Sequence, residues 1–117
     1  MNKAQAPQRE PRRSPRFLWR TPVFVIWEPQ AGMKVREPAE TEIVNAHGAL
    51  LRLSTGLPLG KPLALLNPDS QESIPARVVW RDPEHGNDLR AGVELETPNQ
   101  TFWGIYIPLA NGALRAS

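Results

Sequence analysis

Thr41-Glu42-Ile43-Val44-Asn45-Ala46-His47-Gly48-Ala49-Leu50-Leu51-Arg52-Leu53 reads as two strands joined at a turn. β-Branched residues lead in, Asn45 to Gly48 supplies residues that tolerate turn geometry, and an apolar run with one arginine leads out. Similar short runs lie on both sides. Pro22 to Glu28 is β-rich and bounded by prolines, which gives a first strand, followed by a turn at Pro29 to Gly32. Met33 to Pro38 continues as a ragged strand, and Glu40 to Ala46 is the second strand proper. Ala49 to Ser54 is the third, Pro62 to Leu66 the fourth, with a Gly- and Pro-containing loop between them.

Ser73 to Trp80 alternates, with Ile74, Ala76, Val78 and Trp80 on one face and Pro75, Arg77, Val79 and Arg81 on the other. That makes a fifth, half-buried strand. Leu89 to Glu96 is the sixth, with Leu89, Ala91, Val93 and Leu95 set against Arg90, Gly92, Glu94 and Glu96. Six short strands at intervals of about ten residues, separated by proline and glycine, predict an all-β fold, a closed or nearly closed six-stranded antiparallel barrel. After it the period changes. Thr97-Pro98-Asn99-Gln100 fits a capping box, with Thr97 at N-cap, Pro98 at the first helical position and Gln100 three residues on, so a short C-terminal helix is expected to run toward a stop at Gly104. Phe102 and Trp103 would pack it on the barrel.

A chain of 117 residues fits one domain, large enough for a modest core without disulfides. The expected division is a disordered basic leader over residues 1–10, the barrel with its N-terminal arginine arm over 11–108, and a tail over 109–117. No cysteine occurs, which excludes thiolate metal sites and thiol catalysis and is compatible with a reducing compartment. The first sixteen residues hold no apolar run, and Phe17 to Trp27 is broken by Arg20, Thr21 and Pro22, so neither a signal peptide of the usual form nor a membrane span is expected. A cytoplasmic location is the corresponding expectation. Charge is unevenly placed: Lys3, Arg9, Arg12, Arg13, Arg16 and Arg20 stand against Glu10 alone in the first 22 residues, while the chain as a whole carries only +2. A basic arm therefore precedes an acidic body, and such an arm attracts phosphates on a nucleotide, a nucleic acid or an anionic surface.

Most catalytic chemistry is missing. His47 and His85 are the two imidazoles, without metal-ligand spacing, and no nucleophile elbow, phosphate-cradling loop or dinucleotide fingerprint occurs. Glu94 and Glu96 share a strand face, as ordinary solvated glutamates do. A non-catalytic protein without cofactor or metal is expected.

Arg12-Arg13-Ser14-Pro15-Arg16 ahead of a six-stranded barrel resembles the PilZ domain family, which binds cyclic di-GMP. Arg12 and Arg16 match the outer arginines of the family's RxxxR motif; Gly48-Ala49-Leu50-Leu51 and Arg90-Ala91-Gly92-Val93-Glu94-Leu95 look like the segments that follow its second motif and close its barrel. The resemblance spans roughly residues 10 to 104. It implies a cyclic di-GMP receptor or adaptor whose principal ligand groups are Arg12 and Arg16 on the arm, supported by Asn45 and Gly48 on the hairpin; Arg13 between the two arginines and His47 in the turn complete the candidate ligand-binding set. A guanidinium suits that task because its planar fork pairs with a guanine edge, contacts phosphate or stacks on a base. At the second motif, [DN]xSxxG, the chain departs from the pattern. With Gly48 on the motif glycine, Asn45 takes the serine position and Ile43 the Asp/Asn position. One polar ligand group is lost, and Thr41 is the nearest polar residue on the face assigned to Ile43. The loss of one contact, about 0.5–1.5 kcal/mol, weakens binding rather than abolishing it.

Two other readings stay open. An apolar Ile43 on the ligand face fits an interaction module that no longer reads the nucleotide. A small barrel binding single-stranded nucleic acid would use the arm on phosphates and Phe17 or Trp19 on bases, with steep salt dependence, but the acidic body opposes it. His47 serves as a turn residue or reaches a phosphate. Trp19, Trp27, Trp80 and Trp103 are assigned to packing.

Overall fold

The computed structural model describes residues 14–82 and 89–109. Its strands are β1 (Phe17–Leu18), β2 (Pro22–Gln30), β3 (Met33–Asn45), β4 (Gly48–Leu53), β5 (Pro62–Leu66), β6 (Ser73–Arg81) and β7 (Leu89–Leu95). Every pairing is antiparallel, and the order β3-β2-β5-β6-β7-β4 returns to β3, closing a six-stranded barrel.

Closure depends on the length of β3. Its first part, up to Glu40, pairs with β2; from Glu40 to Asn45 it pairs with β4 instead. The ragged strand and the second strand expected from the sequence are therefore one continuous element. Pro38 does not break it, because it lies on the part of β3 that has one neighbour, where a missing N–H can face away from the ladder. β1 fills the place beyond the end of β2, with Phe17 opposite Val44 and Leu18 opposite Ile43. The basic arm thus enters the sheet.

The interior follows the alternation of the strands. Val23, Val25 and Trp27 point inward from β2, Leu51 and Leu53 from β4, Leu63 and Leu65 from β5, and Ala91, Val93 and Leu95 from β7. Two bulges shift that phase. Between Thr41 and Ile43 the pairing with β4 slips by one residue, so Thr41 and Val44 are both buried and Ile43 turns outward. Thr41 and Ile43 accordingly do not share a face. Between Val78 and Trp80 the pairing with β7 slips likewise; Ala76 and Val78 are buried, whereas Trp80 is 48% exposed and does not join them inside.

The expected C-terminal helix is absent among the described residues, and residues 97–109 run as an irregular segment of bends with one turn at Phe102 and Trp103. Its backbone donors are taken elsewhere. Asn99 N donates to Ala46 O, the Asn99 side chain accepts from Thr101 N, and Gly104 N donates to Thr101 O. Local side-chain bonding of this kind competes with the helical ladder. Gly104, at φ +94°, permits the tight reversal, and Ile107 N then returns to Gln100 O. The segment still delivers the expected packing: Phe102, Trp103 and Ile107 are buried in the core, the two rings edge to face at 4.9 Å.

Candidate functional site

The outward positions of β4 and β7 form a floor. Gly48 lies opposite Glu94, Leu50 opposite Gly92, and Arg52 opposite Arg90. Because two of these positions are glycines, the surface sinks between them. Ile43, turned out by its bulge, flanks Leu50 on β3, and Trp80, turned out by the other, flanks Gly92 on β6. Gly48, Glu94, Leu50, Gly92, Ile43 and Trp80, with Arg16 and His47, line an open depression of about 580 Å³, within the range of small-ligand sites.

Each glycine makes room in its own way. A Cβ on Gly48 would lie 2.1 Å from Val93 O, so the close approach of β4 and β7 there tolerates no side chain. At Gly92 a Cβ would meet Trp80 Cβ at 3.3 Å and the indole Cε3 at 3.9 Å, so an edge of the indole lies against Gly92.

The arm is tied down at both ends of the stretch that carries Arg16. Ser14 is buried and its Oγ accepts from Ala46 N at 2.9 Å, 32 residues away in sequence. Trp19 N donates to Glu42 O, and Trp19 Nε1 donates to Trp103 O at 2.8 Å. The hydroxyl of buried Thr41 donates to Trp19 O and accepts from Thr21 N. Thr41 is thus an anchor for the arm, not a substitute ligand group beside Ile43. Arg16, exposed between these anchors, is held against the depression.

On the hairpin, Asn45 Oδ1 accepts from His47 N at 2.8 Å and Gly48 N at 2.9 Å. This closes the turn as an Asx motif and leaves that oxygen committed to the backbone. Asn45 O accepts from Trp103 Nε1, and His47 O from Leu95 N. The rim is therefore bonded to the C-terminal segment and to β7.

Of the residues expected from the sequence, Arg16, Asn45, His47 and Gly48 come together at this one depression. Arg12 and Arg13 lie outside the described residues. Trp80 and Glu94 were not anticipated there: strand alternation turned Trp80 inward, and nothing in the chain announced that Glu94 would pair with Gly48. Glu94 Oε1 lies 4.0 Å from Arg77 at the margin of the depression. Beyond Leu50 and Gly92 the surface becomes a row of ion pairs, Arg90 Nε to Glu42 and Arg52 to Glu40, both at 3.0 Å, with Arg20 reaching Glu40 at 3.6 Å. That row bounds the apolar floor with charge. Among the described residues no three His, Asp or Glu side chains gather as metal ligands, and no helix is long and apolar enough to cross a membrane.

No family model matches the chain, and no curated protein matches it.

Proposed function

We propose that the chain is a PilZ-like, non-catalytic receptor or adaptor that binds cyclic di-GMP in the depression on β4 and β7. The observation that supports this reading most is the meeting of the arm and the hairpin. Arg16 and the Asn45-to-Gly48 turn, distant in sequence, line one surface, as the resemblance implies for a ligand gripped from both sides. Arg16 supplies a donor fork for phosphate or a guanine edge. Trp80, about half exposed at the depression, offers an indole on which a base can stack. Gly48 keeps the floor low. Asn45 shapes the turn, since its Oδ1 is occupied, and Ile43 contributes apolar contact only.

Calorimetric titration with cyclic di-GMP tests the reading. Saturable binding is expected, and Arg16→Ala should weaken it by about tenfold or more, the value of hydrogen bonds to a charged group. Wild-type protein that gives neither heat nor chemical-shift changes at millimolar ligand would sink the receptor. Ile43→Asp restores the polar group of the motif on the outward face and is expected to tighten binding about 2- to 10-fold. Unchanged affinity would mean that Ile43 does not meet the ligand.

A second reading is supported by the apolar character of Ile43, Leu50, Val79 and Trp80 around the same depression. A protein-interaction module of PilZ-like shape would use this surface for a partner's side chains. Failure of the titration favours it.

A further inference from the structure

The hairpin lacks the acceptor that the second motif implies, and the barrel brings another to the same place. Across the outer surface the order is Asn45 on β3, Gly48 on β4, Glu94 on β7 and Arg77 on β6, each opposite the next. Gly48 has no side chain, so none stands between Asn45 and Glu94. Neighbouring strands lie about 4.8 Å apart, which puts the Glu94 backbone within two strand spacings of the turn. Trp80 faces outward opposite Gly92, two positions along β7 from Glu94 and diagonal to it. Such diagonal neighbours are about 7–8 Å apart, within reach of long and aromatic side chains. A base stacked on Trp80 can therefore present its edge to Glu94.

We propose that Glu94 reads the Watson–Crick edge of guanine and supplies the acceptor that Ile43 cannot. The proposal rests on the nucleotide reading above. Guanine carries two adjacent donors on that edge, N1–H and the 2-amino group, and an ionised carboxylate offers two acceptor oxygens to meet them. Adenine carries an unprotonated N1 at the corresponding place and no 2-amino group, so it sets a lone pair against the carboxylate. The same group that holds guanine thus rejects adenine, which is how a buried or half-buried acceptor creates selectivity. Arg77, 4.0 Å from Glu94, and Arg16, which lines the same depression, offset the charge that Glu94 adds to a site for a dianionic ligand.

The test compares wild type with Glu94→Gln by calorimetry, using cyclic di-GMP, cyclic di-IMP, which lacks the 2-amino group, and cyclic di-AMP. The pair with Arg77 is half-exposed, so the variant should fold, and far-UV circular dichroism checks this. Wild type is expected to prefer cyclic di-GMP over cyclic di-IMP by about tenfold and over cyclic di-AMP by more. In Glu94→Gln the affinity for cyclic di-GMP should fall about tenfold, with the preference over cyclic di-IMP reduced toward unity. Equal losses for all three ligands, no loss, or tighter binding throughout would overturn the role of Glu94 while leaving the receptor standing. Wild type that binds none of the three would instead overturn the nucleotide reading on which the proposal rests.

Discussion

Gly48→Ala is expected to destabilise the protein by about 3 kcal/mol or more, near the upper end of what overpacking costs. The added methyl would lie 2.1 Å from Val93 O and 3.2 Å from Glu94 Cα, both backbone atoms of a paired strand. Neither can move aside by rotating a side chain, so β4 and β7 must separate along Gly48–Leu53, a seam that closes the barrel. In thermal unfolding this should appear as a fall in melting temperature of roughly 10–20 °C. Gly92→Ala is the control. Its methyl would meet Trp80 Cβ at 3.3 Å, an atom fixed by the β6 backbone, but a give of a few tenths of an ångström relieves that contact, so a cost of about 1 kcal/mol, well below that of Gly48→Ala, is expected. Equal melting of Gly48→Ala and wild type would show that β4 and β7 leave room for a side chain at Gly48.

Trp103→Ala is expected to cost about 3–5 kcal/mol, because it empties the largest fully buried side chain of the core. It also removes the indole N–H that bonds Asn45 O and frees the rim at the site. Trp103→Phe separates the two effects: it keeps most of the apolar volume and drops the hydrogen bond, so a loss nearer 1–2 kcal/mol is expected. Denaturant unfolding measures both. Should the two variants be equally unstable, the hydrogen bond to Asn45, and not the filling of the core, would dominate.

The strands were legible because their apolar residues recur at every second position and prolines and glycines mark their ends; β5 at Pro62–Leu66 is placed as expected. The barrel followed from their number and spacing. The C-terminal segment was misread because the signals for helix initiation, Thr97 to Gln100, also suit a turn. The choice between them was made by Ala46 O, an acceptor on the distant hairpin to which Asn99 N donates. No local pattern reports such a partner.

The candidate site was half legible. Arg16, Asn45 and Gly48 follow from the resemblance and His47 from its place in the turn, whereas periodicity alone gives no reason to join the arm to the hairpin. The opposite wall was hidden by the bulge between Val78 and Trp80. A bulge adds one residue without a distinctive residue type here, and past it an alternation count assigns every side chain to the wrong face. Alternation therefore assigns Trp80 to the core, and at the bulge between Thr41 and Ile43 it sets those two residues on one face in the same way.

The bulge at Thr41–Ile43 also bears on how such a domain can change over generations. On a regular strand continuing the phase of Ala39 and Thr41, Ile43 and Asn45 would point into the barrel and Val44 would point out. The extra residue uncouples the two halves of β3, so that the half pairing β2 and the half beside the depression keep separate inside-outside phases. A single-codon insertion or deletion at this place is thus a lineage's shortest route to exchanging the residues shown at the rim, with no change of side-chain identity anywhere.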